Sequence, residues 1–189
     1  MGIMNIVHGN HHMHWAIGLL IGFVSFLLSS FLFSLFIEAG VLVTFLTGGV
    51  GSGLLFVLLG YREHLIRNVG LSTIGMVGAI LLGFAVGEMT ASLVPSVGES
   101  FANAMFLVTV TTVFGTVLGV IVFGKKTFRF FFGISLLTAL ALTVLIEVTN
   151  IMQGQFWQGV DLNYVLIVTT IGMVAGLALG LFEDVKRVH

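Results

Sequence analysis

The chain reads as an all-α polytopic integral membrane protein, a bundle of six transmembrane helices with both termini in the cytoplasm. Three observations predict this. First, 58% of the 189 residues are hydrophobic and 8% are charged, where a soluble domain carries about 25% charge. The mean hydropathy is +1.17, so lipid must be the main solvent. Second, a spanning helix needs about 20 mostly apolar residues, and six runs qualify: 15–36, 40–60, 69–94, 101–124, 130–151 and 163–182. Third, the seven basic residues segregate. Arg62 and Arg67 lie between runs two and three, Lys125, Lys126 and Arg129 between runs four and five, and Lys186 and Arg187 after run six. In a six-helix chain those segments share one side, which the positive-inside rule makes cytoplasmic. Glu38, Glu99 and Asp161 fall on the other side. The expected compartment is the cell membrane and the expected partner of most of the surface is the bilayer.

Residues 1–14 precede the membrane domain. They contain no Lys or Arg, so they lack the basic region of a cleavable signal. Ile6 stands where myristoylation needs Ser or Thr. His8, His11, His12 and His14 have spacings that can chelate a borderline metal ion. An interfacial segment anchored by Trp15 is the other reading. Residues 15–182 form a single membrane domain, and 183–189 a cytoplasmic tail.

Small residues at four-residue spacing mark close helix contacts, because lipid supplies no hydrophobic drive between helices and packing must come from backbone approach. Run one carries Gly18, Gly22, Ser25 and Ser29 in such a stripe. This is a seam inside the bundle or, if the first helix is peripheral, a docking face for a partner membrane protein. Run three has Gly83, Gly87 and Ala91, run four Gly115 and Gly119, and run six Gly172, Gly176 and Gly180 below Thr169. The odd-numbered runs share a Glu toward their outer ends, in LFIEAG, AVGEMT and LIEVTN. The even-numbered runs share Thr, then glycines, then basic residues. Three related hairpins is one reading of this pattern.

The chemistry-bearing residues concentrate in run five and the loop after it. Ser135, Ala139, Thr143 and Glu147 recur every four residues, with Asn150 three further on, so they share a helix face with slow drift. An ionisable group in the apolar zone is a functional hypothesis by default. Glu88 in run three has comparable depth, and two carboxylates meeting in a dry site suit proton-coupled or cation binding. Thr109, Thr112 and Thr116 make a hydroxyl stripe on run four. Trp157 and Asp161 in the loop would line an entrance. Headgroup-level placement of both Glu residues is the plainer alternative.

Several classes are excluded or disfavoured. Cysteine is absent, which removes disulfides and thiolate metal sites. A net charge of −1 leaves no cation excess for a nucleic-acid partner. GVGSG at 49–53 resembles a serine-hydrolase turn, but no histidine lies in any run to serve Ser52 as base. No phosphate loop, dinucleotide fingerprint or zinc-protease motif is present, so neither enzymatic activity nor a cofactor is expected.

The layout is similar to the substrate-binding S components of energy-coupling-factor importers, which are also six-helix proteins of about this size. That resemblance implies a solute site and a helix-1 patch for a coupling subunit, here Gly18, Gly22, Ser25 and Ser29. A vitamin-specific motif is missing. Residues 101–182 also resemble the VanZ family, linked to glycopeptide-antibiotic resistance. Glu147, Asp161, Gly172 and Gly176 match its pattern. Asn150 replaces a Gln, Thr169 lies near the expected Asn, and the intervening loop is longer. The first resemblance implies transport of a small solute or cation. The second implies a non-transport envelope protein acting through lipid or protein contacts.

Overall fold

The computed structural model describes residues 14–34, 41–94, 98–149, 156–157 and 160–188. Six helices follow one another: α1 His14–Ser34, α2 Val41–Leu59, α3 Leu65–Leu93, α4 Gly98–Phe123, α5 Phe128–Thr149 and α6 Leu162–Val188. All six are long and apolar enough to cross a membrane, which is the architecture of a multi-pass membrane protein. His8, His11 and His12 lie outside the described residues, and His14 begins α1.

Two features differ from the sequence reading. Phe156 pairs with Asp161 and Trp157 with Val160 in a minimal antiparallel ladder before α6, within the stretch read as an irregular loop. Two residues per strand are too few to leave an alternation signal. Second, α3 begins at Leu65 and α6 runs to Val188, both beyond their apolar runs. Hydropathy finds where lipid is, whereas a helix continues through residues such as Glu, Lys and Arg that tolerate it well. The segment read as a tail therefore extends α6.

The centre of the bundle is α6 and α4. Of their spans, 67% and 56% is buried, against 28% for α3 and α5. Helix α6 packs on α1, α4 and α5, while α4 also packs on α3, and α2 bridges α1 and α3. Between them lie Phe26, Leu55, Phe56, Met76, Phe114, Leu118, Phe131, Ile171 and Leu179, all fully enclosed.

The tightest junction is α1 against α6. A Cβ on Gly22 would lie 2.0 Å from the Gly172 carbonyl oxygen, and one on Gly18 would lie 2.3 Å from that of Gly176. The two backbones touch there, which glycine alone allows. The stripe of Gly18, Gly22, Ser25 and Ser29 is therefore covered by the chain itself, Gly18 and Gly22 by α6 and Ser29 by α2, with Ser25 and Ser29 fully buried. It does not face outward for a partner helix. Leu20, Val24 and Leu28 do.

Hydroxyls reinforce the neighbouring seams. The Ser29 hydroxyl donates to the Thr47 carbonyl (2.8 Å) and the Tyr164 hydroxyl to Thr47 Oγ1 (2.6 Å), tying α1, α2 and α6. Ser52 and Ser72 hydroxyls lie 2.7 Å apart across α2 and α3, and Ser52 donates to the Gly48 carbonyl at 2.6 Å. Ser52 thus holds a seam. Such bonds contribute about 0.6 kcal/mol each in membranes.

The basic residues meet at one end. Tyr61, just after α2, donates to Glu183 of α6 at 3.0 Å. Its ring packs 5.5 Å from that of Phe123 at the end of α4. Phe182 of α6 packs 4.4 Å from Phe123 and 5.2 Å from Phe130 at the start of α5. Arg62, Arg67, Lys125, Lys126, Arg129 and Lys186 are exposed around these rings.

Replacing Gly22 by Ala drives a methyl into the α6 backbone and should lower stability by about 1–3 kcal/mol. Gly78 has open space around its would-be Cβ, so Gly78→Ala should be neutral or raise stability by up to about 1 kcal/mol. Unfolding in a single detergent measures both. Equal effects would contradict the backbone crossing.

Candidate functional site

Hydroxyls inside a helix usually satisfy themselves on the carbonyl one turn back, and most here do. Thr109, Thr111 and Thr116 in α4 donate to Met105, Leu107 and Thr112. Thr138 in α5 donates to Ile134, and Thr170 in α6 to Leu166. Five hydroxyls break the pattern. Ser25, Thr112, Ser135, Thr143 and Thr169 have buried oxygens with no protein partner among the described residues. Ser25 and Ser135 are fully enclosed, Thr112 is 4% exposed, and Thr143 and Thr169 are 6% exposed. An unsatisfied buried hydroxyl costs about 1–3 kcal/mol, so each needs an explanation.

The five lie on the four helices around the centre, α1, α4, α5 and α6. A Cβ on Gly115 of α4 would meet Ser135 Oγ of α5 at 2.4 Å and Val174 of α6 at 3.7 Å. This fixes Ser135 in the wedge between the three helices. Thr112 is one turn from Gly115, away from the basic end. Thr143 is two turns from Ser135 in the same direction, with buried Ala139 between them. On the other seam, Gly18 opposes Gly176 and Gly22 opposes Gly172. Continuing that antiparallel register puts Ser25 level with Thr169. The unpartnered groups thus lie on two seams, Thr112, Ser135 and Thr143 where α4 meets α5, and Ser25 and Thr169 where α1 meets α6, from mid-bundle toward the end opposite the cations.

The basic end of the wedge is packed shut. A Cβ on Gly119 would lie 2.0–2.3 Å from ring atoms of Phe131. Phe131 stacks on Phe123 (5.7 Å, 12°) and packs against Phe182 at 5.2 Å. The stripe on α5 therefore runs from an aromatic floor at Phe131, past Ser135, Ala139 and Thr143, to Glu147. Glu147 is in the last turn of α5. Its side chain, Asn150, and the side chains of Trp157 and Asp161 lie outside what is described.

Glu88 has a different position. Helix α3 packs on α2 and α4, while α5 packs on α4 and α6, and Glu88 is exposed on the side of α3 with Ile74, Leu81, Ala85 and Met89. It does not enter the wedge. Arg67 is exposed on the same side of α3, 21 positions earlier. That separation is about 31 Å along a helix, close to the hydrocarbon thickness of about 30 Å. The pair is thus spaced by about the thickness of an apolar zone.

The sequence expectation put Ser135 and Thr143 on one stripe of α5, Thr112 in the hydroxyl stripe of α4, and Ser25 and Thr169 on the packing stripes of α1 and α6. It could not find that these are the unsatisfied members among many hydroxyls. For Ser135 the one sequence signal is Gly115, the small residue across from it on α4.

If the five hydroxyls serve a ligand rather than the fold, removing them should help the empty protein. Ser135→Ala and Thr143→Val should each leave stability unchanged or raise it by about 1 kcal/mol, while Ser72→Ala, which breaks a made bond, should lower it by a similar amount. Thermal unfolding without added solute measures this. Equal losses in all three variants would show that the wedge hydroxyls are structural. Comparison with protein-family models, curated proteins and solved structures finds no match for the chain.

Proposed function

We propose that the protein is a membrane transport protein for a small polar solute or cation, with the wedge between α4, α5 and α6 as its site. The observation that carries this is the row of buried hydroxyls without protein partners. Natural interiors satisfy their polar groups, and transporters place binding groups near the bilayer midplane between helices. In this reading Thr143, Ser135 and Thr112 supply donors and acceptors, and Glu147 with Asn150 supplies charge and polarity at the mouth. Trp157 and Asp161 flank the entrance, because the short ladder carries them just before α6. The positive-inside rule puts the basic end in the cytoplasm of a cell membrane, so the wedge opens outward. A role as the substrate-binding subunit of a larger importer fits the layout, provided the coupling partner uses a face other than the glycine stripe of α1.

A second reading, a VanZ-like envelope protein without transport, draws support from Glu88. Its exposed carboxylate at the outer interface is placed for a headgroup or a neighbouring protein.

Two measurements test these readings. The chain has no cysteine, so single-cysteine labelling is clean. Ser92→Cys should react with an impermeant reagent from outside, and Lys126→Cys only after the membrane is opened. The reverse would overturn the orientation. A thermal-shift panel of divalent metal chlorides and small polar vitamins should contain a stabilising ligand. Glu147→Gln with Thr143→Val should weaken it by about tenfold or more, the loss expected for a charge-assisted bond. Binding that survives both substitutions would end the wedge hypothesis.

A further inference from the structure

The turn between α4 and α5 carries three cations that the bundle does not use. Gly124, at φ 91°, ends α4 in the left-handed region. The Thr127 hydroxyl closes the turn by donating to the Gly124 carbonyl at 2.8 Å. Lys125 and Lys126 in the 3-10 turn and Arg129 in the first turn of α5 are all exposed. Among the described residues none of the three is in an ion pair; the ion pair present there joins His64 to Glu63. The acids at this end belong to other elements. Glu63 is in the α2–α3 turn, Glu183 accepts from Tyr61, and Asp184 lies half-buried on α6.

Directly beside the cations are two exposed rings. Phe128 and Phe132 are 52% and 43% exposed and stack on each other at 5.9 Å with 16° between their planes. Along the helix they lie about 5 and 10 Å past Lys125. Cations at headgroup height with aromatic rings just below them match the two layers of a phospholipid, a phosphate above and acyl chains beneath. The helical run begins at Lys125, so the positive end of its dipole points at the same layer. The α2–α3 turn lacks this arrangement, because Arg62 and Arg67 are five residues apart with Glu63 between them.

We propose that Lys125, Lys126 and Arg129, with Phe128 and Phe132, form a binding site for the headgroup phosphate of an anionic phospholipid. The cations hold the phosphate and the stacked rings hold the first segments of the acyl chains. The site depends on membrane insertion and not on transport, so it stands whichever reading of the wedge holds.

The test is native mass spectrometry of the purified full chain equilibrated with equal amounts of phosphatidylglycerol and phosphatidylcholine. The wild-type protein should retain phosphatidylglycerol about tenfold over phosphatidylcholine. The variant K125Q/K126Q/R129Q should fall to parity. Phe128→Ala with Phe132→Ala, which keeps every charge, should lower the retention of both lipids several-fold, because the rings hold acyl segments that the two share. R62Q/R67Q/K186Q, which also removes three cations, should keep it. An equal loss in that last variant would reduce the effect to net charge and overturn the site. So would displacement of phosphatidylglycerol by inorganic phosphate, because the rings would then contribute nothing. Size-exclusion elution and helical circular dichroism matching the wild type qualify each variant for comparison.

Discussion

The backbone contact between α1 and α6 sets the geometry that the other helices follow. In lipid, two apolar helices gain nothing by hiding from the solvent, so their association rests on close packing and on polar contacts. Gly18 and Gly22 against Gly176 and Gly172 bring the two chains into direct contact. That contact draws α6 into the middle of the bundle, where α4 and α5 close over its remaining faces. It also carries the same register outward, to the level of Ser25 and Thr169. The crossing that holds the first and last helices together therefore also places two of the five unpartnered hydroxyls.

The two ends of the bundle are built from different chemistry. At the basic end, rings of Tyr61, Phe123, Phe130, Phe131 and Phe182 pack across four elements, and the Tyr61–Glu183 bond links α2 to α6. This is a closed, apolar junction topped by cations. From the midplane toward the other end, the α4–α5–α6 wedge holds hydroxyls that neither pair across a seam nor fold back on their own helices. The difference matters because other hydroxyls in the same helices are satisfied, Thr111 and Thr116 among them. Close ring packing at one end and unpartnered hydroxyls toward the other give this junction a direction.

The sequence showed the large features well. Six apolar runs and the segregation of seven basic residues give the helix count and the end at which the cations gather, because both depend only on composition along the chain. The facing of each helix was much less legible. These helices are apolar nearly all round, so only short stripes of hydroxyls and small residues mark a face. Glu88 illustrates the loss: its depth was readable, but not that it turns away from the bundle. The glycine stripe of α1 marks a close-packing face by its spacing, but the spacing alone does not choose between a partner protein and α6, whose glycines lie 150 positions further on. Ser135 and Thr143 were picked out by their four-residue spacing. Their lack of hydrogen-bond partners is a property of three helices together, and no single run encodes it.

The central claim is that the Ser135–Thr143 face of α5 lines a polar wedge open to one side of the membrane. Cysteine placed singly at Phe131, Ser135, Ala139 and Thr143 and treated from outside with a small membrane-impermeant thiol reagent tests it most directly. The account predicts fastest modification at Thr143→Cys, slower reaction at Ala139→Cys and Ser135→Cys, and none at Phe131→Cys within the aromatic floor. No reaction at any of the four, or reaction only at the lipid-facing neighbours Leu137→Cys and Val144→Cys, would contradict it.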